Sequence, residues 1–241
     1  IWAISPKHLF ADNLKDELWL VAGGVFGGSL YFFTENTALG ITQASNVAFI
    51  ICTAPLLTTI LSLLFYKSEK ATKGLIYGSL LALIGVGLVV FNGSVVLKLS
   101  PVGDLLTLLA ALSWAFYSLV IKWMTGRYPT VFITRKIFFY GVLTILPAFL
   151  LHPLQPDFDV LLQPLVLSNL LFLAVLASLI CYILWNVVLK QLGTMRASNY
   201  IYLNPLVTMV ASVLILHEQI TWITLMGAAC IILGVYLAEK K

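Results

Sequence analysis

Charged residues are scarce in this sequence of 241 residues. They make up 10% of the chain, whereas hydrophobic residues make up 61% and the mean hydropathy is +1.01. A soluble domain carries about 25% charged residues. The shortage of charge therefore excludes an ordinary soluble domain and predicts a membrane protein.

Cysteines and catalytic motifs are also rare. The three cysteines all fall inside apolar runs, so they provide neither a disulfide framework nor a metal-ligand spacing. A zinc-protease motif, a G-x-S-x-G motif and a glycine-rich phosphate loop are all missing. These absences argue against an enzyme and against an ATP-driven pump, and we expect no cofactor and no metal.

The first residues lack the features of a secretory signal peptide. The opening stretch "IWAISPKHLF" has no basic segment followed by an apolar core and a small-residue cleavage site. Its composition is more typical of the tail of an earlier segment.

Long apolar runs fill most of the chain. A helix needs roughly 20 apolar residues to cross about 30 Å of hydrocarbon. The runs are continuous and do not alternate with a period of two, which favours helices over a β-barrel. Eight spans are predicted, at 18–39, 43–66, 74–92, 102–124, 131–151, 167–189, 197–217 and 221–238.

The basic residues predict an orientation. If both termini are cytoplasmic, every Lys and Arg except Lys98 falls on the cytoplasmic side, as the positive-inside rule describes. We therefore expect a multi-pass protein of the plasma (inner) membrane. The net charge of +4 needs no nucleic-acid partner, because anionic lipid favours these cations. The basic residues assigned inside are Lys7, Lys15, Lys67, Lys70, Lys73, Lys122, Arg127, Arg135, Lys136, Lys190, Arg196, Lys240 and Lys241.

The chain also contains an internal repeat. When spans one and two are aligned with spans six and seven, residues 150 apart match. After a shift of one residue, spans three and eight match as well. The two "ASN" triplets, at 44–46 and 197–199, are three residues out of this register, so we treat their similarity as local. The matching pairs include Asn36 and Asn186, Pro55 and Pro205, Thr58 and Thr208, Glu69 and Glu218, Gly78 and Gly227, and Gly85 and Gly234.

The two copies are predicted to face opposite ways. Equivalent spans are separated by five crossings, and an odd number of crossings inverts the second copy. The second copy also contains spans four and five, which have no counterpart in the first. We therefore expect an all-α inverted-repeat bundle with eight of ten helices visible. Residues 1–100 would form a first repeat lacking its first two helices, and residues 101–241 would form the second.

The doubled pattern resembles a known family. It runs from "NTALGITQASNVAFIICTAPLLTTILSLLFYKSEKATKGLIYGSLLALIGVGLVV" to its counterpart "NVVLKQLGTMRASNYIYLNPLVTMVASVLILHEQITWITLMGAACIILGVYL". In each copy an Asn and a Leu end one helix, a Pro interrupts the next, a Glu follows, and two Gly lie seven apart. This pattern is similar to the EamA repeat of the drug/metabolite transporter superfamily. The resemblance implies export of amino acids, other metabolites or drugs.

Span seven carries polar side chains beside a proline. Pro205, like its repeat mate Pro55, removes a helical hydrogen bond and predicts a kink that could act as a hinge. Tyr200, Asn204 and Thr208 lie four residues apart and form one polar ridge. The ridge either faces a substrate or hydrogen-bonds to neighbouring helices, which is a common use of such groups.

Two other spans carry aromatic and amide side chains. Span six offers Tyr182 and Asn186 with Trp185 beside them, and span four offers Trp114 and Tyr117. Such groups could stack an organic ligand, although Trp and Tyr are also ordinary at membrane interfaces. We expect a ligand role for those near the middle of the membrane.

Glu35 is the only acidic residue well inside a span, and Asn36 follows it. An ionised carboxylate costs about 2.5–3.5 kcal/mol on insertion scales, so such a residue is a functional candidate. It is predicted to bind a proton or an amino group of the substrate. The alternative is a neutral carboxyl that serves only as a structural hydrogen-bonding partner.

These features predict a secondary transporter that works by alternating access. The alternative is a channel or a non-transporting membrane scaffold. We expect the solute to bind near mid-membrane between the two halves, against spans one, two, four, six and seven. Because no Lys or Arg lies deep in a span, a neutral, zwitterionic or cationic solute is expected.

Overall fold

The protein is a bundle of helices. The computed structural model describes residues 9–66, 70–91, 100–151, 157–216 and 221–240, and no strand occurs in these ranges. The predicted all-α class is confirmed. Four basic residues and two acidic residues considered above lie outside the described residues: Lys7, Lys67, Lys98, Lys241, Glu69 and Glu218.

Within the described residues, five helical segments are long and apolar enough to cross a membrane. They match five of the eight predicted spans to within a few residues, so the chain is a multi-pass membrane protein. The number of eight spans stays a prediction. The five segments are Ala44–Phe65, Lys73–Phe91, Pro101–Thr125, Pro164–Leu192 and Trp222–Glu239.

The first predicted span is a helix with a looser turn at its centre. Asn13 accepts a hydrogen bond from the backbone N–H of Asp16 and caps its start. The chain then runs through α1 (Leu14–Gly24), a π-helical segment (Val25–Ser29) and α2 (Leu30–Ile41).

The remaining helices follow in sequence order. Those before residue 100 are α3 (Ala44–Ile51), α4 (Ala54–Phe65) and α5 (Lys73–Phe91). Those after it are α6 (Pro101–Thr125), α7 (Thr130–Ile145), α8 (Ala148–Leu151), α9 (Phe158–Leu161), α10 (Pro164–Leu171), a π-helical segment (Phe172–Ile180), α11 (Cys181–Leu192), α12 (Thr194–Asn199), a 3-10 segment (Tyr200–Leu203), α13 (Asn204–Leu216) and α14 (Trp222–Glu239).

Both prolines of the predicted hinges follow an interruption in the helix. Pro55 lies in the first turn of α4, after α3 has ended. The carbonyl oxygen of Ile50 at the end of α3 accepts from both the backbone N–H and the hydroxyl of Thr53, at 2.9 and 2.7 Å. The break thus remains hydrogen-bonded, as a break inside a membrane requires.

The second interruption precedes Pro205. There the chain tightens into the 3-10 segment Tyr200–Leu203, and the carbonyl of Ile201 accepts from the backbone N–H of Asn204. This is the carbonyl that a proline four residues later leaves without its α-helical partner. The 3-10 turn therefore supplies a replacement hydrogen bond.

Helices α5 and α14 pack together through glycines. A Cβ atom placed on Gly85 would lie 2.6 Å from the carbonyl oxygen of Gly227, and one on Gly234 would lie 2.5 Å from that of Gly78. These backbones approach too closely for any side chain, as at small-residue contacts between membrane helices. The pairing of 78 with 234 and of 85 with 227 makes the two helices antiparallel.

The larger core cluster lies between α1, α6, α7 and α11. Its centre is the fully buried Tyr117, whose ring packs against Gly27 of the first π-helical segment. A second cluster joins Cys52, Tyr202, Ile231 and buried residues of α5. The first cluster holds three of the predicted site residues, namely Trp114, Tyr117 and Tyr182.

Candidate functional site

Four aromatic rings surround Trp114 of α6. The ring centroids of Tyr117 and Tyr31 lie 5.1 and 5.2 Å from that of Trp114, and those of Tyr182 and Trp185 both lie 5.8 Å away. Such separations are those of favourable aromatic pairs. We call these five residues the aromatic cluster.

Hydrogen bonds fix the rings of the aromatic cluster in place. The hydroxyl of Tyr117 donates to Oδ1 of Asn186 at 2.8 Å, and Nδ2 of Asn186 donates to the hydroxyl of Thr134 at 2.9 Å. The hydroxyl of Tyr182 donates to the carbonyl oxygen of Gly27 at 2.6 Å. The buried Asn186 thus ties α11 to α6 and α7.

Glu35 lies beside the cluster. The hydroxyl of Tyr31, one helical turn earlier, donates to Oε1 of Glu35 at 3.0 Å, and Glu35 is only partly buried. Within the described ranges no cationic side chain forms an ion pair with this carboxyl. The site therefore combines aromatic faces with one carboxyl whose counter-charge the described residues do not supply.

Two donors of the cluster are also unused. The indole N–H groups of Trp114 and Trp185 are buried, and neither finds an acceptor in the part of the chain that the structure describes. A buried donor without an acceptor costs roughly 1–3 kcal/mol. An acceptor on a bound solute would remove that cost.

Three predicted site residues lie elsewhere. Asn36 is exposed, and its Nδ2 donates to the carbonyl oxygen of Phe32 in its own helix at 2.8 Å. Tyr200 and Asn204 are exposed on the second interrupted helix, along with Thr208. The structure brings together Glu35, Trp114, Tyr117, Tyr182 and Asn186, but not these three.

The sequence analysis does not single out Tyr31 and Thr134. Tyr31 is the hydrogen-bond donor to Glu35, and Thr134 accepts from Asn186. A tyrosine four residues before a carboxyl on one helix is a usable signal, because such side chains share a face. The sequence carries no comparable signal for Thr134.

A second group of polar contacts joins α1 to the region after α6. Nη1 of Arg127 lies 2.8 Å from Oδ1 of Asp16, and Tyr128 donates to the same carboxylate at 3.0 Å. Glu17 pairs with Lys136, which is buried in α7. We call these two pairs the α1 ion pairs.

Hydrogen bonding sets the charge of the first of these carboxylates. Burial alone would raise the pKa of Asp16, but hydrogen bonds from Tyr128, Arg127 and Asn13 outweigh it and hold the pKa below the ordinary aspartate range. Asp16 is therefore ionised at neutral pH.

The same balance applies to Glu17. Burial would raise its pKa, but hydrogen bonds from Lys136, Tyr140 and the backbone of Ala11 hold the pKa below the ordinary glutamate range.

Among the described residues, no group of three or more His, Cys, Asp or Glu side chains is placed to hold a metal ion.

Several known proteins with a similar sequence are described as transporters. A protein of Archaeoglobus fulgidus described as an uncharacterized transporter is 26% identical over all of this chain and 82% of its own length. A Salmonella typhimurium protein described as a probable amino-acid metabolite efflux pump is 27% identical over 96% of this chain and 80% of its own length. These names indicate a transporter rather than an enzyme.

The fold also matches a solved structure. A crystal structure superposes with a TM-score of 0.76 at 19% identity, covering 92% of this chain and 75% of that one. At that identity the match shows the fold alone. The model of the EamA-like transporter family matches residues 1–91 and 101–239. The chain therefore belongs to the EamA-like transporter family.

Proposed function

We propose that this protein is a secondary transporter that exports small amine-bearing solutes, such as amino acids, by alternating access. The observation that carries the proposal is the aromatic cluster beside Glu35, with its two unused indole donors. Similarity to the Salmonella typhimurium efflux pump supports both export and an amino-acid-like solute.

The site suits a zwitterion in three ways. Aromatic faces attract an ammonium group by about 0.5–2 kcal/mol, most strongly when the group is desolvated. The carboxyl of Glu35 can accept hydrogen bonds from that ammonium group, or it can release a proton when the ammonium group binds. The indole N–H groups of Trp114 and Trp185 can donate to the solute's carboxylate. Only in another conformation of the protein would the solute contact Asn36, Tyr200 and Asn204.

Symmetric packing supports the inverted repeat. In the repeat register, Gly78 corresponds to Gly227 and Gly85 to Gly234. If the two copies were exchanged, the contact between Gly78 and Gly234 would become the contact between Gly227 and Gly85. Both contacts are present. A pseudo-two-fold axis between antiparallel α5 and α14 would produce this pattern. Inverted repeats of this kind suit alternating access.

The interruptions before Pro55 and Pro205 support the two hinges. Each occurs at the same place in its copy, and the turns there lack regular α-helical bonding. We infer that these turns absorb the backbone changes when one half rocks against the other.

Burial supports a fold of ten helices. Leu20 is fully buried against α6 and α7, whereas its repeat mate Leu170 is 43% exposed. Thr58 is fully buried, whereas its mate Thr208 is exposed. Two further helices, equivalent to α6 and α7, would cover the second-copy face as α6 and α7 cover the first. The family's matched segments, 1–91 and 101–239, support repeat boundaries near residue 100.

The orientation proposed is the one with both termini cytoplasmic in the plasma membrane. The charge bias supports it, because the basic residues fall on one side. The solute would then bind near mid-membrane and leave toward the outside.

Uptake into proteoliposomes across a panel of amino acids, amines and sugar phosphates tests the proposal. We expect saturable flux of an amine-bearing solute and none of a sugar phosphate. Trp114→Phe keeps a ring but loses the indole N–H, and it should weaken apparent affinity about twofold to tenfold. Trp222→Phe is the matched control, because Trp222 is 82% exposed and far from the cluster in sequence. Saturable phosphate-ester exchange would contradict the proposed substrate class, and non-saturable flux would favour a channel.

A further inference from the structure

A cavity lies where α5 and α12 begin and where α11 and α14 end. It has a volume of about 230 Å³ and opens to the surface. Its walls come from the residues before α5, the link from α11 to α12, and the end of α14. The lining residues are Lys70, Thr72, Leu75, Leu192, Gly193, Thr194, Met195, Arg196, Ala238 and Lys240.

The charge of this cavity is entirely positive over its described lining. Lys70, Arg196 and Lys240 line it, and no carboxylate does. None of the three forms an ion pair with a described residue. Three cations that line one cavity repel one another, so an anion placed among them would be favoured.

The start of α5 adds to this positive potential. Thr72 caps the helix, and its hydroxyl oxygen accepts from the backbone N–H of Leu75 at 3.1 Å. The backbone N–H groups of Lys73 and Gly74 belong to the first turn, whose N–H groups have no intrahelical partner. The N-terminus of this 19-residue helix carries a partial positive charge.

We propose that this cavity binds a phosphate group. Arginine and lysine side chains are strong donors to phosphate oxygens, and the partial positive charge at a helix N-terminus favours the same anion. The volume is smaller than the roughly 300–1,000 Å³ of pockets for drug-sized ligands, which fits a compact anionic head better than a large organic solute. This site is separate from the aromatic cluster, and it does not depend on the proposed transport.

The phosphate could be part of a lipid headgroup or of a soluble ester. Helix ends meet at the level of lipid headgroups, and basic pockets between membrane helices hold anionic lipids. The exposed Leu192 on the wall offers an apolar surface for the start of an acyl chain. A soluble phosphate ester would use the same cations without that leucine.

Calorimetric titration of the full chain in neutral detergent tests the site. The probes are dioctanoyl phosphatidylglycerol, glycerol 3-phosphate and inorganic phosphate, with dioctanoylglycerol as the phosphate-free control. We expect the control not to bind and at least one phosphate probe to bind. Arg196→Gln and Lys70→Gln should each weaken binding about tenfold, since each removes a charged hydrogen-bond donor. If Arg196→Gln does not fold, Lys240→Gln takes its place.

The control variant is Lys190→Gln, which removes an exposed cation from the end of α11 that does not line the cavity. Binding by the lipid alone identifies a headgroup site, and binding by the two soluble probes alone identifies a soluble-ester site. The proposal is overturned if no phosphate probe binds. It is also overturned if Lys190→Gln weakens binding as much as the cavity variants do.

Discussion

Glu35 is the residue on which proton or cation coupling depends in this account. It is a carboxyl within α2, hydrogen-bonded to Tyr31 and without a cationic partner among the described residues. Glu35→Gln keeps the shape and the capacity to accept from Tyr31 but removes the charge. We expect it to abolish pH-dependent or cation transport while membrane insertion stays intact. Flux measured against pH in proteoliposomes checks this.

The matched control for that change is Asp159→Asn, which neutralises an exposed carboxylate outside the bundle core. A well-folded Glu35→Gln protein with unchanged flux and unchanged pH dependence would reduce Glu35 to a structural contact.

Asn186 holds the aromatic cluster together by its two hydrogen bonds. Asn186→Ala leaves the buried hydroxyl of Tyr117 without its acceptor, which costs about 1–3 kcal/mol. The hydroxyl of Thr134 loses one donor but keeps a hydrogen bond, because it still donates to the carbonyl oxygen of Thr130. We therefore expect a lower unfolding temperature in detergent. Asn169→Ala, on the exposed surface of α10, should leave it nearly unchanged, and equal effects would contradict the role of Asn186.

Much of the site could be predicted from residue type alone. Asn186 stands out as an amide in an apolar helix, and Trp114, Tyr117 and Tyr182 stand out as rings able to stack a ligand. The structure brings the four together. The same reasoning applied to Asn204 selects a residue that lies exposed. A lone polar side chain does not tell which side of a helix faces the bundle, because that depends on how the helices pack.

At the scale of elements, the contact between α5 and α14 is where packing should override helix propensity. Alanine is preferred over glycine in a helix by about 1 kcal/mol. A Cβ on Gly85 would nevertheless strike backbone atoms of α14, which cannot move aside as a flexible side chain can. Gly85→Ala should therefore destabilise the protein by about 1–3 kcal/mol, the usual cost of overpacking.

Gly40 offers the matched control for this change. It also lies in a helix, α2, but nothing lies within 4 Å of an added Cβ. Gly40→Ala should leave stability unchanged or raise it slightly. Thermal unfolding of both variants in detergent checks the opposite signs, and a stable Gly85→Ala protein would contradict the close contact.

The α1 ion pairs predict how the start of α1 responds to pH. The pKa of Asp16 is lower in the folded protein than its ordinary value, so the stabilisation is present above the unfolded pKa. It is lost as pH falls through the folded pKa. Arg127→Gln removes a hydrogen-bond donor and should shift that loss to higher pH. Protease cleavage near residues 9–16, followed from pH 7 down to acid, checks this.

Lys15→Gln is the control for that experiment, because Lys15 is an exposed cation next to Asp16. It should leave the pH profile where it is. If the profile of Arg127→Gln matches that of the unaltered protein, the pair between Arg127 and Asp16 does not secure this segment.

The helical elements themselves were largely predictable. Five predicted spans agree with observed membrane-length helices, because an apolar run of this length has few other ways to satisfy its backbone in lipid. The π-helical segments, Val25–Ser29 and Phe172–Ile180, were not predicted. The first contains Gly27, against which Tyr117 packs closely, and neither segment leaves a periodic signal in the sequence.

At the scale of the whole molecule, the proposed inverted repeat would link sequence to mechanism. If two copies pack symmetrically through α5 and α14, each with an interrupted helix, they would give two states of similar energy that open to opposite sides. Residue identity alone could not predict that the two copies differ in burial. Burial depends on which helices lie beside each segment: Leu20 packs in a cluster with residues of α6 and α7, whereas Leu170 is 43% exposed.

Counterflow measures the central claim most directly. Proteoliposomes that contain the protein are loaded with an unlabelled amino acid, and a trace of labelled amino acid is added outside. Alternating access through the aromatic cluster predicts a transient accumulation of label inside above its external concentration. Trp114→Phe should reduce this overshoot, whereas Trp222→Phe should not. Label that only equilibrates, without overshoot and without saturation, would contradict the account and favour a channel.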